Sequence, residues 1–186
     1  MSLADLAKDA EQKMQKTVEA TQHDFSTIRT GRANPSLVDG LVVDYYGSPT
    51  PINQLAQIGV PEPRTLIITP YERSVVGAIE KAIKNSDINI NPVNDGASVR
   101  LNIPPLTEDR RKEFVKLLGK KIEDGKVSIR NIRRDVNDQC KALVKKSEAS
   151  EDDSKRVQDS LQKLTDRYIL EIDRIAKAKE AELLEV

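Results

Sequence analysis

Three arginines crowd a single helical turn in the run Arg130-Asn131-Ile132-Arg133-Arg134, and guanidinium groups held this close repel each other unless an anion meets them. Guanidinium forks match phosphate geometry and neutralised phosphates release counterions, so the chemistry suggested is contact with a phosphate backbone. The surrounding charge points the same way. From Arg110 to Lys146, thirteen lysines and arginines stand against five acids, whereas Ser147 to Val186 holds seven bases and eleven acids. At about 100° per residue, Lys112, Lys116, Lys120, Arg130, Arg134, Lys141 and Lys145 share one outward sector. Lys126 and Arg133 fall between that sector and the apolar stripe. A solvated face paired with the acidic segment behind it is the plainer alternative. No aromatic residues accompany the cluster, which favours shape and backbone recognition of structured RNA over reading of single strands.

Other chemistries find little support. His23, the one histidine, sits opposite the apolar stripe of its segment, and Cys140 lies within a stripe as a small hydrophobe. No P-loop, metal-ligand spacing or nucleophile motif occurs, and Glu151-Asp152-Asp153 reads as helix capping after Ser150 rather than as a cation site. No catalytic residue, metal or cofactor is expected. A single cysteine excludes an internal disulfide and fits a reducing compartment. The N-terminus carries a charge every few residues and never forms an apolar signal region or membrane span, so a cytoplasmic protein is expected.

The elements that must position this chemistry divide sharply. All nine prolines fall between Pro35 and Pro105, and six of the eight glycines between Gly31 and Pro105. Proline removes a backbone donor and clashes with the preceding helical turn, so the proline-free flanks can run as long helices. Apolar stripes at spacings of three and four run through Leu3, Leu6, Ala10, Met14, Val18, Phe25 and Ile28, with Thr21 completing the row between Val18 and Phe25. A second passes through Leu118, Ile122, Gly125, Ile129, Ile132, Val136, Cys140 and Leu143, and a third through Val157, Leu161, Leu164, Tyr168, Ile172 and Ile175. The second should start near Thr107 and run to Lys145 or Lys146, a rod of roughly 55 to 60 Å. Stripes this narrow suit helices packed nearly parallel.

Between the flanks the periodicity changes. Leu41 to Val43, Thr65 to Thr69 and the alternating Val99, Leu101 and Ile103 read as strands. Asn94-Asp95-Gly96 supplies a turn that should join the last of these to an alternating run at Ile88 to Asn91. A short helix from about Arg73 to Asn85 carries Val76, Ile79, Ala82 and Ile83 on one face. The expected fold is therefore α+β in two domains. Residues 1–30 and 105–186 form an elongated antiparallel three-helix bundle, and residues 31–104 form an inserted α/β domain, β-rich with one helix. The crossings at 30–32 and 104–106 should act as a hinge, with Gly31 permissive between Thr30 and Arg32, and Pro104 and Pro105 stiff.

Several motifs in order carry a resemblance along the whole chain. They are Ile28-Arg29-Thr30-Gly31-Arg32-Ala33 with Pro35, Arg64-Thr65-Leu66, Pro104-Pro105-Leu106-Thr107-Glu108 with Arg110-Arg111-Lys112, Arg130-Asn131-Ile132-Arg133-Arg134-Asp135, and Ser150-Glu151-Asp152-Asp153. In these the sequence resembles the bacterial ribosome recycling factors. The resemblance implies an L-shaped, monomeric protein whose bundle lies on large-subunit rRNA of the post-termination ribosome. It also implies action with elongation factor G, whose GTP hydrolysis helps split the subunits. Arg130 and Arg133 would be the rRNA-contacting arginines, supported by Arg29 and Arg110, with Arg134 and Lys126 beside them. Arg32 would belong to the hinge. Gly119 and Gly125 depart from the family's helix formers, and each should soften the long helix. A different class of function, a helical adaptor or chaperone gripping protein clients, is distinguished by salt: RNA binding falls steeply as salt rises, whereas apolar binding does not.

Overall fold

The computed structural model describes residues 1–185. They divide into two compact units, one of residues 1–28 with 109–185 and one of residues 29–108.

The first unit is a bundle of α1 (Leu3–Ser26), α4 (Glu108–Lys145) and α5 (Glu151–Leu184). Ser2 opens α1 with a reciprocal cap: its hydroxyl accepts from the Asp5 N–H, and the Asp5 carboxylate accepts from the Ser2 N–H. Ser150 caps α5 by accepting from the Asp153 N–H, as the S-x-x-D spacing predicts. The stripes meet as one seam. Leu6 and Ala10 near the start of α1 pack with Val136 and Cys140 near the end of α4 and with Leu161 of α5. Thr21 of α1 approaches Gly125 of α4 and Ile172 of α5 further along. Rising numbers in α1 and α5 thus match falling numbers in α4, so α4 runs antiparallel to both. Phe25, Met14, Leu118, Ile129 and Ile172 are buried. Burying such side chains contributes roughly 1.5–3 kcal/mol each before chain entropy is subtracted.

The second unit is a four-stranded antiparallel sheet in the order β3 (Ala56–Glu62), β4 (Thr65–Pro70), β6 (Val99–Asn102), β5 (Pro92–Asn94). Beside it lie the hairpin of β1 (Val42–Tyr45) and β2 (Ser48–Pro51), the single turn α2 (Ile52–Leu55), and α3 (Val76–Lys84), which follows a 3-10 turn at Arg73–Val75. Leu66, Ile68, Val99 and Leu101 alternate inward, and Val76, Ile79 and Ile83 of α3 cover them. The entry and exit segments are tied to one turn: the Ala33 N–H donates to the Pro63 carbonyl at 2.7 Å and the Ile103 N–H to the Arg64 carbonyl at 2.8 Å.

Two differences from the sequence reading have physical causes. Ile88 to Asn91 is not a strand. Pro92–Asn94 pairs with β6 instead, with Asn94 opposite Val99 and Pro92 opposite Leu101. Ile88 is buried in the core and Asn89 takes φ +55, which breaks the extended run. β2 and β3 carry Pro49, Pro51 and Pro61, which hide them from a periodicity reading yet are tolerated where a strand lacks a neighbour on one side.

Candidate nucleic-acid interface

The middle helix places the arginine cluster, because a stripe at Leu118, Gly125, Ile129, Val136 and Cys140 faces the other two helices and turns the intervening positions outward. Arg134 is exposed, and among the described residues it has no ion pair or hydrogen-bond partner. Arg133 is half-buried and donates from Nη1 to Oε1 of Gln162 on α5. The Gln162 amide then donates to Asp166 at 2.9 Å, which fixes the orientation of the carbonyl that holds Arg133. Arg130, also half-buried, pairs with Glu123 one stretch back on its own helix at 3.0 Å. Lys126 reaches Asp173 of α5 at 2.6 Å with only 19% of its side chain exposed, so much of its charge is answered within the bundle.

Lys126, Arg130, Arg133 and Arg134 therefore share one segment of α4. Arg110 does not join them: twenty residues separate it from Arg130, about 30 Å along the helix. Arg110 is exposed, pairs with Glu113 at 3.2 Å and lies 5.8 Å from the Phe114 ring centroid. Arg29 is exposed on the entry segment, where Thr30, Gly31 and Arg32 follow it. Lys112, Lys116, Lys120, Lys141 and Lys145 are all exposed along α4. Gln162 carries no charge, so a reading based on basic residues misses it. Its one sequence signal is the Gln162–Asp166 spacing of four, which permits a hydrogen bond on a helix face.

The remaining candidates for chemistry are placed as small structural groups. His23 is exposed in the last turn of α1. Cys140 is buried, and burial pushes its thiol pKa up, away from the reactive thiolate. Among the described residues no group of three His, Cys, Asp or Glu side chains could hold a metal ion. No helix among them is long and apolar enough to cross a membrane.

A three-helix bundle is thus interrupted after its first helix by an α/β unit, and basic side chains line an exposed side of its middle helix. Comparison with known proteins gives the family. A family model described as Ribosome recycling factor matches residues 21–184. A ribosome-recycling factor of Legionella pneumophila (strain Paris) is 53% identical over 182 residues, 98% of each chain. One of Brevibacillus brevis is 54% identical over 178 residues, 96% of each. The solution structure of a ribosome recycling factor superposes with a TM-score of 0.80 at 43% identity, covering 100% of this chain and 99% of that one. A model of the T. thermophilus ribosome recycling factor, bound with the E. coli elongation factor G to the E. coli post-termination complex, gives 0.68 at 44% identity over the full length of both chains. The chain belongs to the ribosome recycling factor family.

Proposed function

We propose that this protein binds the post-termination ribosome through large-subunit rRNA and, together with elongation factor G and GTP hydrolysis, splits it into subunits. It works in the cytoplasm as a monomer. The single observation that carries the RNA contact is the arginine cluster of α4, in which Arg134 stands exposed and unpaired while Gln162 holds Arg133 in place. Arg130 and Lys126 flank the contact, and Arg110 and Arg29 extend it. Arg130 can exchange its exposed partner Glu123 for a phosphate, because a surface ion pair is worth only about 0–1 kcal/mol.

Light scattering of post-termination ribosomes mixed with the protein, elongation factor G and GTP tests the reading. The native chain should lower scattering as subunits part. Arg134→Ala should lose about 1.5–3 kcal/mol of ribosome binding, the size of a charge-assisted hydrogen bond, with its thermal unfolding unchanged. With about four phosphate contacts, a fourfold rise in salt should weaken binding on the order of a hundredfold. Salt-independent binding, or an unaltered Arg134→Ala, would take the RNA contact off this face and favour the adaptor reading.

A further inference from the structure

Three of the four tyrosines gather on the inserted unit, away from any arginine of the α4 cluster in sequence. β1 and β2 join through Tyr46-Gly47, with Tyr45 opposite Ser48. Both loop residues have positive φ, +50 and +84, the geometry of a two-residue turn that Asn-Gly fills most easily. Tyrosine is a strained choice for the first position, and strain of this kind points to a use for the side chain. Tyr46 is 77% exposed, and its ring meets Tyr45 edge-on at 4.7 Å between centroids. Its hydroxyl lies 3.1 Å from the Ser74 hydroxyl, and the Tyr45 hydroxyl donates to Oε1 of Glu72 at 2.7 Å. The hairpin tip is thereby fastened to the segment that leads into α3.

Beside these rings is a recess of about 290 Å³ lined in part by Tyr45, Leu55, Tyr71 and Glu72. Tyr71 is 70% exposed, and its N–H donates to the Leu55 carbonyl at 3.0 Å, which holds its backbone against the recess. Glu72 uses one carboxylate oxygen for Tyr45. Among the described residues it has no ion pair, and its neighbour Arg73 does not supply one. The site thus combines the tyrosine rings of Tyr45 and Tyr71, the carboxylate of Glu72 without an ion pair, and the apolar side chains of Leu55 and Val75.

We infer that this tyrosine–glutamate recess docks the arginine or lysine side chain of a basic segment of a protein partner. Ring faces attract a cation laid over them, and the free carboxylate oxygen can take a charge-assisted bond from a guanidinium. A phosphate backbone would meet the same carboxylate with repulsion, which turns the site away from nucleic acid. Tyrosines with fixed hydroxyls also present rigid contact area at small entropy cost.

The test uses the full chain alone, so its failure leaves the ribosome-recycling reading untouched. Tyrosine ring resonances are followed by NMR as a tetra-arginine peptide is added, with a tetraglutamine peptide and tetrauridylate in parallel. Saturable shifts of the Tyr45 and Tyr71 rings are expected with tetra-arginine only. Glu72→Gln should weaken binding about fivefold or more. Tyr71→Ser should weaken it similarly while leaving the melting temperature unchanged, because Tyr71 lines the recess and is 70% exposed. Absent shifts, shifts unchanged in both variants, or equal shifts with tetraglutamine would overturn the inference. Stronger shifts with tetrauridylate would overturn it in favour of a nucleic-acid contact.

Discussion

A β-carbon added at Gly125 would lie 2.8 Å from Thr21 Oγ1, 3.0 Å from Thr21 Cγ2 and 3.3 Å from Ile172 Cδ1. Thr21 cannot swing aside cheaply, since it is β-branched within a helix and its hydroxyl donates to the Thr17 carbonyl at 2.7 Å. Gly125 therefore marks where three helices approach closely, and its backbone freedom is answered by packing. Gly119 meets nothing within 4 Å. Two alanine substitutions with the same gain in helix propensity, about 1 kcal/mol, should then move stability in opposite directions. Gly119→Ala should stabilise by about 0.5–1 kcal/mol, and Gly125→Ala should destabilise by about 1–2 kcal/mol as overpacking outweighs propensity. Urea unfolding followed by far-UV circular dichroism measures both, and a stabilised Gly125→Ala would show that the seam has slack. Sequence places Gly125 within the apolar stripe and Gly119 outside it, but the pattern along one helix does not say how closely the neighbour across from Gly125 approaches. The arginine cluster is legible for the opposite reason: its meaning lies in mutual repulsion within one turn. The bond from Arg133 to Gln162 is invisible until α5 is laid beside α4.

At the scale of elements, the turn between β5 and β6 gathers three hydrogen bonds on one carboxylate. Asp95 Oδ1 accepts from the Ala97 and Ser98 N–H groups at 2.9 and 2.8 Å, and Oδ2 accepts from the Ser98 hydroxyl at 3.0 Å. These donors, the Ala97 N–H foremost and then those of Ser98, hold the Asp95 carboxyl below its ordinary value of 3.8. A carboxylate whose folded pKa is depressed contributes stability that is full above the unfolded value and is lost as pH falls through the lower folded one. The turn should thus hold above about pH 4 and loosen only in stronger acid. Amide signals of Ala97 and Ser98 should report a midpoint under 3.8, and Asp95→Asn should remove that titration. A midpoint at or above the ordinary value would mean that the turn bonds do not persist in solution. The same hairpin shows why strands were harder to read than helices. The turn at Asn94-Asp95-Gly96 is announced by residue type, but pairing extends only to Pro92, which lacks the N–H to continue a ladder. Alternation at Ile88 to Asn91 instead reflects Ile88 in the core and Ile90 packed against it, on either side of a left-handed Asn89. Helices of 24, 38 and 34 residues repeat their signal many times, whereas a strand of three or four residues states it once.

At the scale of the whole molecule, two units joined by two chain crossings must pass any movement through those crossings. In the proposed function the hinge lies at these crossings, just inside the unit of residues 29–108, and its torsion is expected to fall on Gly31. Pro104 and Pro105 have φ fixed by their rings, and Ala33 and Ile103 are tied to the Pro63–Arg64 turn. Gly31, between Thr30 and Arg32, takes φ +78, and a β-carbon there would stand 3.4 Å from the Leu106 nitrogen and 3.8 Å from the Pro105 Cα. The crossings thus run against each other at the one position whose conformation an L side chain resists, at a cost of roughly 1–2 kcal/mol. Gly31→Ala narrows the torsions open to the hinge without touching the α4 arginines. Ribosome affinity should stay within about twofold, since the binding face is unaltered. Subunit splitting with elongation factor G and GTP should slow about tenfold, the effect of roughly 1.4 kcal/mol on a barrier. Gly40→Ala, in open space and without a positive φ, controls for a general effect of losing a loop glycine and should split ribosomes at the native rate. If Gly31→Ala keeps the native splitting rate while its affinity and melting curve are also native, the torsion lies elsewhere and Gly31 serves only to let the two crossings pass.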